Sequence, residues 1–278
     1  MLTIHRYTAS ATGLLANAYL IETVDGVVAV DAPLLLADGA AYRARLDALG
    51  APLAGVLLTH PHPDHYNTVT QLTAGLDVPI VATVDADRVM REHDEAKRAQ
   101  WRGMFGDQWP ATSTFPNRTV VDGEELTLAG VTFTARDLGR GECASQTVWL
   151  ADGGREGAFI GDLVFHGTHA YLGEGAVDQW IAMLTRCEDL LGAVPVLYPG
   201  HGEPSGPTML GDQRRYLIAL REALRRLSGP HGRLTDDGRQ ELTALMEAYL
   251  PGAPLLWLIG AGADEAAAGL FTPAANGG

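Results

Sequence analysis

The chain is expected to be an α/β protein built in four layers, with two β layers inside and helices on both outer faces. Three observations predict this. Short apolar runs of strand length are interleaved with stretches of helical spacing. The strand runs fall into two groups, each with its own helices. Apolar residues make up 46 % of the 278 positions, enough to fill such a core and too many for a disordered chain. No linker rich in Pro, Ser or Gly divides the sequence, so one domain is expected over residues 1–278, with a mostly helical extension over residues 208–278.

The first group begins with Val27-Val28-Ala29-Val30-Asp31, a β-rich run that ends on an acid. A helix is expected over residues 40–49. Gly55-Val56-Leu57-Leu58-Thr59 is the next strand and stops at His60; Val78-Pro79-Ile80-Val81 is a third. Residues 85–101 carry charged and apolar positions at helical spacing. The middle of the chain changes character, and Thr119-Val120-Val121-Asp122-Gly123 reads as a strand and a turn. Leu126-Thr127-Leu128 and Val131-Thr132-Phe133-Thr134 form a hairpin around Ala129-Gly130. Thr147-Val148-Trp149-Leu150 and Ala158-Phe159-Ile160 flank the turn signal Asp152-Gly153-Gly154. Helices follow over residues 177–191, 209–227 and 234–250, with the strand Pro195-Val196-Leu197-Tyr198 between the first two. The tail Asn276-Gly277-Gly278 is expected to fray.

Acidic residues number 34 against 20 basic ones, a formal charge of −14. That balance argues against nucleic acid and against an anionic membrane surface as partners. No apolar run reaches the roughly 18 residues of a membrane span; the best, around Leu255 to Ile259, is far shorter. Two cysteines, Cys143 and Cys187, do not make a disulfide framework, and the opening Met1-Leu2-Thr3-Ile4-His5-Arg6 lacks a basic start followed by an apolar stretch. A cytoplasmic protein acting on a small-molecule substrate is expected, with the helices after Pro207 available as a cap or a homodimer surface. The arginines Arg214, Arg215, Arg221, Arg225 and Arg226 read as a solvated helix face or a subunit contact.

The chemistry is concentrated in Thr59-His60-Pro61-His62-Pro63-Asp64-His65. Imidazole and carboxylate are the side chains that hold zinc-like divalent ions. The two prolines are expected to keep this loop extended and deny it a helix. His60 and His62 then share a face and can reach one ion, and a turn after Asp64 could aim Asp64 and His65 at a second.

His-x-His-x-Asp-His after an apolar strand resembles the hallmark motif of the metallo-β-lactamase fold superfamily, and together with three further matches it stands in the family's order over about residues 15 to 205. Asp31 matches an aspartate that orients a ligand histidine; a helix cap is its alternative role. Asp162 in Phe159-Ile160-Gly161-Asp162 matches a carboxylate that bridges two ions, and His201 in Tyr198-Pro199-Gly200-His201-Gly202 a histidine on the second ion. The resemblance implies a four-layer αββα sandwich. It also implies two divalent ions, zinc by default with iron or manganese open. One would be held by His60, His62 and Glu142, the other by Asp64, His65 and His201, with Asp162 between them.

One motif departs from the family. Where a histidine usually stands, this chain reads Gly139-Arg140-Gly141-Glu142-Cys143-Ala144-Ser145. Glu142 falls at the histidine's place and Cys143 is the rival; the alkylsulfatase branch is similar in using glutamate there. A third carboxylate makes the centre less positive, and hence a weaker Lewis acid, than a histidine would.

The family resemblance implies a hydrolase of an ester, lactone or thioester using a hydroxide between the ions, with Asp64 also handling a proton. The lactonase branch places a tyrosine soon after the bridging aspartate; the position three beyond Asp162 is Phe165 here. His166, His169 and Tyr171 are expected to line the pocket, and the aromatic stretch from Trp101 to Trp109 either hangs over it or is packing. The other readings are a phosphodiester or sulfate ester hydrolase, a diiron or sulfur-dioxygenase oxidoreductase, and a non-catalytic metal-binding module. A β-lactamase is disfavoured by the Asp162 motif, and a diiron oxidoreductase by His62, where glutamate would be expected.

Overall fold

The computed structural model describes residues 2–229 and 231–271, so the tail expected to fray lies outside the described residues. The first sheet holds β1 (Thr3–Thr8), β2 (Asn17–Thr23), β3 (Gly26–Val30), β4 (Leu53–Leu57), β5 (Ile80–Thr83) and β6 (Arg118–Val120), side by side in that order. Its first three strands are an antiparallel meander, and β3 to β6 run parallel. The second sheet holds β7 (Glu125–Leu128), β8 (Val131–Gly139), β9 (Gln146–Ala151), β10 (Gly157–His166) and β11 (Leu197–Gly202), in spatial order β11-β10-β9-β8-β7. Here β7 to β10 are antiparallel and β11 joins β10 in parallel.

The strand alternation makes the layers. In the first sheet Leu20, Val27, Ala29, Val56 and Ala82 pack outward, where they meet the helices α1 (Leu36–Leu49), α3 (Val69–Leu72) and α4 (Val84–Phe105) through Tyr42, Leu46, Leu72 and Met90. Their neighbours Tyr19, Ile21, Val28, Val30, Leu57 and Val81 point inward. There they meet Leu126, Val131, Phe133, Trp149 and Phe159 of the second sheet. The opposite face of that sheet, with Val148, Leu150, Ala158 and Ile160, is covered by α5 (Val177–Leu191), α6 (Thr208–Leu227) and α8 (Trp257–Phe271). Burying both faces of both sheets explains why the strands read as near-continuous apolar runs.

Several elements differ from expectation. Helix α1 begins at Leu36, earlier than residue 40, and α4 runs on to Phe105. The edge strand β1 has a mixed polar sequence, TIHRYT, and gave no apolar run to find. Helix α8 is rich in glycine, which disfavours helix in isolation. Yet Gly262 is where α8 touches the loop at Leu172 and Gly173: a Cβ there would lie 2.7 Å from Gly173 N. The arginines of α6 agree with the expected solvated face, Arg215, Arg225 and Arg226 being exposed, and they are also tied within the chain, Arg214 to Glu188, Arg221 and Arg225 to Asp178, and Arg226 to Glu241. Helix α7 (Asp236–Tyr249) is capped by the Thr235 side chain. No helix among the described residues is long and apolar enough to cross a membrane.

Candidate metal centre

The candidate residues gather at one end of the two sheets. Asp31 leaves β3 with φ of 62°, a left-handed conformation that turns its carboxylate toward the end of β4. There Oδ1 accepts from the Thr59 main-chain N–H (2.8 Å) and Oδ2 from the Thr59 hydroxyl (2.7 Å), and His65 Nδ1 lies 3.0 Å from Oδ2. Asp31 therefore caps no helix; the residue preceding α1 is Leu35.

His62 is extended, but Pro63 is the first residue of a short helical turn, α2 (Pro63–Tyr66). The expectation of a loop kept extended by its prolines fails here, because proline at the first helical position lacks only an N–H that would have no helical partner. The turn thus comes before Asp64 rather than after it, and it swings Asp64 and His65 together away from the direction of His60 and His62.

Glu142 stands in the loop between β8 and β9, Asp162 on β10 and His201 on β11. Gly200 explains the sequence around His201: a Cβ there would fall on Asp162 Oδ1. Among the described residues the ligand-type atoms form three groups, each within 4.8 Å; one is Asp31, His60 and His65, in which Asp31 is the hydrogen-bond partner of His65. His60, His62, Glu142 and Asp162 make the second; Asp64, His65, Asp162 and His201 make the third, so Asp162 belongs to both of these. Its Oδ2 lies 3.7 Å from His60 Nε2 and 3.4 Å from His201 Nε2, and its Oδ1 3.2 Å from His65 Nε2. Asp64 Oδ2 is 3.4 Å from His201 Nε2, and Glu142 Oε2 is 3.5 Å from His62 Nδ1.

The residues fit divalent ions on their own chemistry. His60 Nε2, His65 Nε2, both Glu142 oxygens and Asp162 Oδ1 are buried without a hydrogen-bond partner among the described residues. Such atoms are costly to bury unless something meets them. The outward nitrogens of His60 and His65 are engaged instead, while His201 Nδ1 is buried without a partner among the described residues. The Thr59 hydroxyl gives its proton to Asp31, so it accepts from His60 Nδ1 at 2.9 Å. His65 Nδ1 in turn donates to Asp31. With both rings neutral, each presents a lone pair at Nε2 to the Asp162 side. Cys143 is turned away, its thiol donating to Ser145 O at 3.1 Å.

Electrostatics follow from crowding these groups together. Burial pushes the Glu142 carboxyl well above its ordinary range, and Asp162, Glu174 and Asp64 add to the push. Burial would also raise Asp162, but His201, His65 and His60 outweigh it and hold that carboxyl well below. His201 is lifted to about 9 because Asp162 and Asp64 outweigh its burial. His65 is raised for the same reason, while burial and the neighbouring His65 push His60 down. Without cations, the carboxylates are balanced by protons.

The centre opens into a cleft of about 520 Å³ walled by Leu14, Leu34, Trp101, Phe105, Phe165, Tyr171 and Leu258, with Lys97 as its cation. Trp101 and Phe105 therefore overhang the cleft, while Trp109 packs on Leu34 and Leu35. Of the three residues expected to line it, Tyr171 does, with its ring 5.6 Å from that of His62. His166 and His169 do not. Strand β10 continues through His166, so alternation turns Phe165 to the centre, stacked on His201 at 4.8 Å, and His166 away, where its Nδ1 lies 2.6 Å from Glu203 O. His169 is buried, its Nδ1 3.1 Å from the Tyr216 hydroxyl. Sequence reasoning missed Glu174 and Lys97 at the cleft; Glu174 sits in Gly173-Glu174-Gly175, which carries no motif.

The model of the metallo-beta-lactamase superfamily matches residues 11–201. Among solved structures, a metallo-beta-lactamase family protein from Thermus thermophilus superposes with a TM-score of 0.68 at 22 % identity, over 97 % of this chain and 92 % of that one. A beta-lactamase domain protein from Burkholderia ambifaria gives 0.70 at 17 %, over 97 % and 85 %. A protein solved in a di-iron-bound form gives 0.56 at 28 %, over 75 % and 98 %. A search of curated proteins found no match. The two-sheet fold, the order of the motifs and the match over residues 11–201 together show that the chain belongs to the metallo-beta-lactamase superfamily.

Proposed function

We propose that the protein is a hydrolase that holds two divalent ions and cleaves an ester, lactone or thioester. The observation that carries this reading is Asp162: one buried carboxylate common to two groups of nitrogen and oxygen donors, at the floor of an apolar cleft. When bound, such ions supply Lewis acidity toward a carbonyl oxygen and acidify water to a nucleophile at neutral pH. The seven donors are proposed as ligands in the two groups that share Asp162, with zinc as the default ion. The likeness to a di-iron-bound protein keeps iron in view.

The chain's own residues supply the rest. Asp64 is less buried than its fellow donors and lines the cleft. Burial would raise its carboxyl, but His65 and His201 hold it well below the ordinary range, so it stays ionised and can accept a hydrogen bond that orients the attacking water. Leu14, Leu34, Trp101 and Phe105 exclude water and hold an apolar acyl or alcohol portion. Asp64, Glu142, Asp162 and Glu174 together offset the four charges of two divalent ions, so little net positive charge is left to draw a polyanionic substrate. The test is a panel of chromogenic esters, lactones, thioesters, phosphodiesters, sulfates and β-lactams against protein loaded with Zn²⁺, Mn²⁺ or Fe²⁺. Turnover of an acyl substrate that a chelator abolishes is expected. Turnover confined to phosphodiesters or sulfates, or oxygen uptake by the iron form alone, would overturn it.

A further inference from the structure

We propose that Glu174 is a positioning residue that fixes which ring nitrogen of His62 faces the first ion site. The His62 ring lies between two carboxylates. Its Nδ1 is 3.5 Å from Glu142 Oε2, and its Nε2 is 3.4 Å from Glu174 Oε1. A neutral imidazole carries one N–H, and an ionised carboxylate can only accept it. With the proton on Nε2 toward Glu174, the lone pair at Nδ1 points to Glu142 and the ion site. His60 and His65 are arranged the other way round, with Nδ1 held by Thr59 and Asp31 and Nε2 turned inward. His62 therefore needs an outer acceptor of its own, and Glu174 is placed to be it.

The placement is built rather than incidental. Lys97 Nζ, reaching from α4, lies 3.6 Å from Glu174 Oε1. Arg140, two residues before Glu142, donates to the Glu174 main-chain oxygen at 3.0 Å. Behind the loop, the bare Cα of Gly262 lets α8 press against Gly173. Three separate segments thus fix one carboxylate beside one histidine. A ligand histidine whose second nitrogen donates to a carboxylate is held in one tautomer and binds its ion more strongly, by about 10–100-fold in affinity.

This inference rests on the two-ion reading of the centre, and the test separates the two. Zn²⁺ affinities would be measured by chelator competition for wild type, Glu174→Ala and Glu174→Gln, and ring tautomers by ¹⁵N NMR on metal-free protein at mildly alkaline pH. In Glu174→Ala one of the two Zn²⁺ ions is expected to bind about 10–100-fold more weakly, the other to be unchanged within about threefold. The His62 ring should become a mixture of tautomers. Glu174→Gln, whose amide oxygen still accepts, should keep the wild-type tautomer and fall between the two in affinity. Unchanged affinities with an unchanged tautomer would overturn the assignment. So would an equal weakening of both ions that tracks a fall in Tm, the mark of a merely structural role. If wild type took up no Zn²⁺, the two-ion reading would fall, and the tautomer comparison would still decide whether Glu174 governs His62.

Discussion

Replacing Asp162 with asparagine is expected to strip the protein of most of its metal and to abolish turnover. The side chain is 2 % exposed and faces three imidazole nitrogens, His65 at 3.2 Å, His201 at 3.4 Å and His60 at 3.7 Å. Asparagine fills the same space without the charge, so the effect reads electrostatics rather than packing. Taking one partner out of a buried charge group costs about 3–5 kcal/mol. At about 1.4 kcal/mol per decade, a loss of that size in ion binding is on the order of 10²–10⁴ in affinity. Elemental analysis should find less than one ion per chain in the variant where wild type holds two. Two retained ions with full turnover would contradict the role given to Asp162.

Removal of the ions should have the second largest effect, and its size should depend on pH. A ligand present at a thousand times its dissociation constant stabilises the folded state by about 4 kcal/mol. In metal-free protein, His201 has its pKa raised to about 9 by Asp162 and Asp64 against the opposing effect of burial. A raised histidine pKa contributes stability that is fully present below its ordinary value of about 6.5 and is lost as pH rises through the folded value. Ions need that proton gone, so their contribution runs the other way and grows over the same window. His65, raised by the same carboxylates, acts in the same direction. The gap in Tm between loaded and chelated protein should therefore widen as pH rises from about 6.5 toward 9. Calorimetry at a series of pH values with and without chelator measures it; a gap that stays flat or narrows would count against proton-for-ion exchange.

Much of the fold was legible because its strands are buried on both faces. Runs such as Val27 to Val30 and Ala158 to Ile160 announce themselves as apolar, and α5 was expected over the residues it occupies. Strand β2 was missed although its run Ala18 to Ile21 is apolar and buried; the other missed elements lacked that signal. Strand β1 sits at a sheet edge with threonine, histidine and arginine, and α8 is held by contacts that glycine permits rather than by propensity. At the centre, His60 to His65, Asp162 and His201 each sit in a short local pattern, whereas Glu142 was picked out only by its place in a loop that departs from one. The direction of His166 was not, because it depends on how far β10 extends past Asp162. Glu174 was invisible for a different reason: its importance comes from Lys97, Arg140 and His62, which only tertiary folding brings to it.

The central claim is a pair of ions sharing one carboxylate. Crystals grown with Zn²⁺ and measured across the zinc absorption edge test it most directly. Two anomalous peaks are predicted, one among His60, His62 and Glu142 and the other among Asp64, His65 and His201, with Asp162 in contact with both. A single peak, or a first ion bound with Glu142 turned away from it, would contradict the account.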